Sequence, residues 1–163
     1  MASIPKSKLD QVVKKIAKKL SSQQYAIRGT ASAVLQGFDM EVDDIDVIGN
    51  KETVLFCNQA FRNNLIDKVS YKKSEKFKSY FGKFEISNVL VEIYGNWQIK
   101  NENGKWSDIF DASIDEVDMV NVTGLEVKVT KIETELKMFS LMSRWSAYWK
   151  LKKQADNKQA RLM

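Results

Sequence analysis

The periodicities along the chain predict an α+β fold, a mixed β-sheet backed by helices. Apolar residues at helical spacing open and close the sequence, and apolar runs of strand length fill its middle. No segment repeats, so a solenoid or propeller is not expected. At 163 residues one domain is expected, and a chain of that size buries roughly two-thirds of the surface its unfolded form exposes.

Leu9, Val12, Val13, Ile16, Ala17 and Leu20 predict a helix over about residues 7–20, with lysines on its outer face and a capping box from Ser7 and Asp10. "YAI" is then a short strand, "TASAVLQG" a short helix ended by Gly37, and "DIDVIG" a second strand. Asn50 caps a helix over about residues 51–65, whose Val54, Cys57, Phe61 and Leu65 share a face. This places Cys57 in the core. After the basic and aromatic "SYKKSEKFKSYFGK", the runs "FEIS" and "VLVEIYG" read as a hairpin turning at Asn88. The polar "NWQIKNENGKWSDIF" reads as a loop anchored by Trp97 and Trp106.

A second hairpin joins "VDMVNV" to "LEVKVT" through Thr123 and Gly124, with Leu125, Val127 and Val129 on one face. Thr130 and Glu133 form another capping-box pattern. It opens a helix over about residues 131–155 with a stripe of Ile132, Leu136, Phe139, Met142, Trp145 and Trp149. The domain core therefore spans about residues 22–130, between two terminal helices.

Composition narrows the function. With 44% hydrophobic residues, 29% charged residues and one proline, the chain is globular and not disordered. It has no histidine and one cysteine, so neither a zinc site nor an intrachain disulfide is expected. The start lacks the apolar core of a signal peptide, and no apolar run approaches bilayer length, so a cytoplasmic protein without a membrane partner is expected. The formal charge of +5 is uneven: residues 1–20 carry +5, residues 21–127 carry −6 and residues 128–163 carry +6. An acidic centre between basic ends suits a polyanion neutralised jointly by Lys/Arg and metal ions.

The chemistry concentrates in "YAIRGTASAVLQGFDMEVDDIDVIG". Strand alternation puts Asp44 and Asp46 on one face, roughly 6–7 Å apart, and Asp43 on the other. Two carboxylates in a half-buried strand raise one another's pKa unless a cation lies between them. Oxygen ligands without His or Cys select a hard ion, Mg²⁺ or Mn²⁺, which completes its shell with water and phosphate oxygens. Glu92 interrupts the apolar run "VLVEIYG" on the face opposite Val91 and Ile93, and is the candidate third acid. Gly29 and Thr30 lie where the first strand gives way to a helix, so backbone N–H groups, the helix dipole and a hydroxyl there can face a phosphate. No Walker A or GxGxxG motif occurs.

The succession Gly-Thr, a dozen residues, Asp-x-Asp between apolar residues and a later acid on a strand resembles the signature of the DNA polymerase beta-like nucleotidyltransferase superfamily, in its small single-domain members. The resemblance covers Tyr25 to Gly95. It implies metal ligation and catalysis by Asp44, Asp46 and Glu92, with phosphate contacts from Gly29 and Thr30. Arg28 stands where an apolar or small residue is common and is a candidate further nucleotide contact. The implied activity is Mg²⁺-dependent transfer of a nucleoside monophosphate from an NTP, ATP by preference, to an acceptor hydroxyl, releasing pyrophosphate. The alternative is an antitoxin-like or regulatory protein that binds nucleotide without turnover, as in toxin–antitoxin pairs. The acceptor is open, a partner protein among the choices, and an oligomer is compatible with either role. No nucleic-acid motif is present, and the acidic centre repels a phosphate backbone, so a nucleic-acid partner is not expected.

Overall fold

The computed structural model describes residues 3–162. Among them, seven strands form one mixed sheet: β1 (Tyr25–Arg28), β2 (Ile45–Gly49), β3 (Leu65–Lys73), β4 (Phe77–Ile86), β5 (Val89–Ile99), β6 (Val117–Val122) and β7 (Leu125–Thr130). Their order is β3-β4-β5-β2-β1-β7-β6. β2 runs parallel to β5 and β1 parallel to β7; the other neighbours are antiparallel. The helices are α1 (Lys6–Lys19), α2 (Gly29–Leu35), α3 (Lys51–Ala60), α4 (Ile132–Leu141) and α5 (Trp145–Leu162).

Strand alternation divides the apolar residues between two layers. On one face Ile27, Ile45, Val47, Val91, Ile93 and Val129 pack with the buried stripe of α1 and with Val54 and Cys57 of α3. Burial pushes the Cys57 thiol up to about 12, as suits a core side chain and not a nucleophile. On the other face Ala26, Ile48, Trp97 and Ile99 pack with Met138 and Phe139 of α4 and Leu151 of α5. The polar members of β1, β2 and β5 open onto this second face, beyond the reach of α1 and α3.

Several local expectations give way to tertiary contacts. Ser7 and Asp10 do not cap α1: Pro5 holds the N-cap position, and Asp10 pairs with Lys6 at 2.6 Å. α3 ends at Ala60, where Phe61 turns to pack on Phe84, and Leu65 opens β3 exposed at the surface. The basic stretch, to which the pattern assigns no element, forms the end of β3 and most of β4, continuous with β5. β5 itself runs on to Ile99, so "NWQI" is strand and the loop begins after it. Trp97 does anchor that loop, through a bridge to Phe110, and Trp106 bridges Lys100.

Thr130 is buried at the end of β7 and cannot cap α4. The C-terminal helix is two helices: Met142 to Arg144 break it, with Ser143 at φ 57°. The stripe divides accordingly, with Phe139 and Met142 buried and Trp145 and Trp149 exposed on α5. α5 then reaches Leu162, beyond the expected end.

α3 meets the sheet at Gly95, where an added Cβ would lie 2.3 Å from Val54 Cγ2 and 3.2 Å from the Asn50 carbonyl oxygen. Gly95→Ala is expected to destabilise the fold by about 1–3 kcal/mol through overpacking, read from urea denaturation. An unchanged midpoint would show that α3 does not bear on β5 at this point.

Candidate active site

Three carboxylates converge at the start of β2. β2 and β5 pair in parallel with Asp46 level with Glu92, and one oxygen each of Asp44, Asp46 and Glu92 lies within 4.8 Å of the others. Asp44 joins them from the bend just before β2. Asp43, expected on the opposite face, also reaches the cleft beside the acids, because strand alternation has not begun at that residue.

The sheet register carries this row further. Arg28 of β1 pairs with Asp46, and Lys83 of β4 pairs with Glu92, so two acids on neighbouring strands are flanked by a cation on each side. Arg28 is nearly buried. Its Nη1 lies 3.5 Å from Asp46 Oδ2 and its Nη2 3.3 Å from Glu135 Oε1, while its guanidinium stacks 4.8 Å from the Trp97 ring centroid. Glu135, in the first turns of α4, is wholly buried and also accepts from the Thr130 hydroxyl, which in turn bonds the Ser32 hydroxyl at 3.0 Å. Strand β7, helix α2 and helix α4 thus fix Arg28 against the acid row. Sequence reasoning missed Glu135 altogether. Its only local signal is a charged residue in a stretch whose neighbours at helical spacing are core.

Tyr94, two residues after Glu92 and therefore on its face, donates to Glu92 Oε2 at 3.1 Å and stands 3.5 Å from Asp46 Oδ1. Burial, then the charges of Asp46 and Glu92, hold this phenol well above its ordinary value, so it remains a donor. Gly29 backs the same carboxylate from the other side. Its φ of +73° favours glycine, and a Cβ there would come 3.2 Å from Asp46 Oδ2. Thr30 follows in the first turn of α2, partly exposed. The cleft over the acids, about 820 Å³, has Arg28, Asp44, Asp46 and Glu92 in its wall but neither Gly29 nor Thr30. Lys72, Lys73 and Arg144 also line it.

Burial pushes Asp46 up to about 7; Arg28 opposes the rise, and Asp44 and Glu92 add to it. Asp44 is raised for the same reasons, burial first and then Glu92 and Asp43. Three mutually repelling carboxylates, with oxygen donors only, fit a hard divalent cation. Asp44, Asp46 and Glu92 would hold it.

The sign of the linkage follows. Asp46 titrates higher in the fold than in an unfolded chain, where a carboxyl stands near 3.9, so its contribution destabilises the metal-free protein increasingly as pH rises from about 4 to 7. A divalent ion binds the ionised acids and opposes that loss. With no histidine in the chain, no imidazole titrates in this window. Mg²⁺ is therefore expected to raise the melting temperature more at pH 8 than at pH 5.5, by calorimetry against an EDTA reference. An equal rise at both pH values would contradict the assignment. Glu135→Ala removes one partner of a buried pair and is expected to destabilise the protein by about 3 kcal/mol. It should also weaken Mg²⁺ binding about 10- to 100-fold by freeing Arg28; denaturation and calorimetric titration measure the two effects.

No protein-family model matches the sequence, and no curated protein matches it at a significant level. Solved structures do. A Thermotoga maritima protein provisionally assigned as a nucleotidyltransferase superposes with a TM-score of 0.79 at 26% identity, over 95% of this chain and 97% of that one. The lincosamide antibiotic adenylyltransferase LnuA, with lincomycin bound, has a TM-score of 0.56 at 16% identity, over 92% of this chain and 98% of its own. An antigenic nucleotidyltransferase-like protein from Paracoccidioides brasiliensis has a TM-score of 0.51 at 16% identity, over 92% and 78% of the two chains. The α+β architecture expected from the sequence is present, and the chain has the fold of the nucleotidyltransferase superfamily.

Proposed function

We propose that the chain is an enzyme that transfers a nucleoside monophosphate from an NTP, ATP by preference, to an acceptor hydroxyl in the presence of Mg²⁺ or Mn²⁺. The observation that carries this reading is the convergence of Asp44, Asp46 and Glu92 within 4.8 Å in the wall of a cleft. The nucleotidyltransferase fold supports it. Asp44, Asp46 and Glu92 would hold divalent cations, which when bound would neutralise the triphosphate and lower the pKa of the attacking hydroxyl.

In the reaction the acceptor oxygen forms a bond to the α-phosphorus while the bond from that phosphorus to the bridging oxygen breaks. Pyrophosphate leaves with the electron pair, and the acceptor's proton passes to water in the open cleft. The chain's own groups prepare this step. Arg28 and Tyr94 hold Asp46 and Glu92 at fixed angles, so little reorganisation accompanies the change of charge. Lys72, Lys73 and Arg144 bring positive charge to the cleft for the triphosphate, while Gly29 and Thr30, expected to contact phosphates, stand outside the cleft wall with Gly29 backing Asp46. Histidine is not needed as a base in such a scheme.

Asp44→Asn and Asp46→Asn are each expected to lower transfer from a radiolabelled NTP by at least about 10²-fold, with circular dichroism unchanged. A variant that transfers normally would sink the site assignment. A wild-type protein that binds NTP but transfers to no protein, RNA or small hydroxylated acceptor would instead support a regulatory role.

A further inference from the structure

Beside the acid row, one part of the cleft wall carries donors that the mechanism above does not use. It is built by an irregularity in β5. Lys78 of β4 pairs with Gln98 and Tyr80 with Gly95, so β5 takes three steps where β4 takes two. The extra residue is Asn96, at φ 49°. Its side-chain oxygen accepts the Lys51 N–H at 3.1 Å, at the start of α3, which holds the bulge in place. Before the bulge the even-numbered residues Glu92 and Tyr94 face the cleft; after it, odd-numbered Trp97 does. A bulge that re-aims one side chain beside a reaction centre is a recurrent device.

Trp97 is 2% exposed and Arg28 4% exposed, and both line the cleft. The indole is fixed by ring neighbours at 5.2 to 6.1 Å, Tyr94, Phe77 and Phe110, and by the guanidinium of Arg28. Two buried donors in this pair lack a partner among the described residues: Arg28 Nε and Trp97 Nε1. Buried N–H groups are ordinarily satisfied, and an exception in a cleft wall points to a ligand atom. The charge of Arg28 is already matched by Asp46 and Glu135, so the missing partner is a neutral acceptor and not another anion. Phe77 and Met142 add apolar surface to the same wall, beside Lys72, Lys73 and Arg144.

We propose that this part of the cleft is a subsite for an uncharged ring-shaped group bearing a hydrogen-bond-accepting oxygen or ring nitrogen, which hydrogen-bonds to Trp97 Nε1 and Arg28 Nε and rests against Phe77 and Met142. The inference rests on the acid row being the reaction centre, and the subsite then holds either the base of the nucleotide or the body of the acceptor. Both sources share the same chemistry. The triphosphate belongs beside it, near Lys72, Lys73 and Arg144.

The test is a ¹H–¹⁵N titration of the full chain, following the indole and arginine Nε–H signals. The Trp97 peak is identified by elimination with Trp106→Phe, Trp145→Phe and Trp149→Phe, so Trp97 itself need not be altered. Adenosine, guanosine, cytidine and uridine report a base; methyl glucopyranoside reports a neutral hydroxylated acceptor; inorganic tripolyphosphate is the anionic control. At least one neutral probe is expected to shift the Trp97 indole and Arg28 Nε–H signals saturably and to slow their exchange with water. A nucleoside doing so assigns the subsite to the base, and methyl glucopyranoside alone doing so assigns it to the acceptor. Trp97→Phe should then bind that probe about 10-fold more weakly. Signals unmoved by every neutral probe, or moved as much by tripolyphosphate, would overturn the proposal. Repeating the titration in Asp44→Asn separates it from the proposed reaction. Transfer activity without the indole shift discards the subsite alone, and the shift without wild-type transfer discards the reaction alone.

Discussion

The constraint on which the rest depends is electrostatic: the parallel pairing of β2 with β5 sets Asp46 beside Glu92, with Asp44 adjacent, and the sheet cannot relax that repulsion without unpairing. Each neighbouring oddity answers it. Arg28 stands on the next strand where an apolar residue would otherwise complete β1, Lys83 closes the row on the far side, and Gly29 leaves room beside Asp46 Oδ2. Tyr94 adds a donor that burial keeps protonated. These contacts moderate the repulsion but do not remove it, since Asp46 still titrates far above an ordinary carboxyl. A site left in this condition is suited to a cation that arrives with its substrate.

The acids were legible in the sequence because period-two alternation is local. Asp46 and Glu92 each interrupt an apolar run, and a charge in a half-buried strand needs water, a partner group or an ion on its face. The third member, Asp44, followed from the same spacing although it lies just outside the regular strand. Arg28 was visible as a departure from the resembling family, but its partner was not. Glu135 lies 107 residues away on α4, and no local pattern links the two. Such pairs are fixed by topology, here by β7 running beside β1 and delivering α4 to the same face.

The fold divides along the same line. β1 and β2 are short runs buried nearly throughout, and β7 and α1 show their amphipathic pattern within one element, so these were readable, as was β6 as the hairpin partner of β7. β3 was not, since Val69 is its only buried residue and its lysines and Tyr71 face outward along the sheet edge. An edge strand protected from intermolecular pairing by charge loses the alternation that would announce it. The single long C-terminal helix failed for the opposite reason. Its apolar stripe continues past Met142, yet Ser143 turns the chain, so the stripe belongs to two helices and only its first part is core.

Trp97 joins these levels. Without the extra residue at Asn96, alternation would carry it to the side of Val91 and Ile93, into the layer beneath α1 and α3. Displaced by one position, it fills the opposite layer with Phe110, Met138 and Phe139, and at the same time closes over the guanidinium that holds Asp46. One side chain is therefore both core and cleft wall. The rigidity of the acid row comes from the packing of α4 against the sheet, so the geometry available for chemistry is set by the same contacts that stabilise the fold.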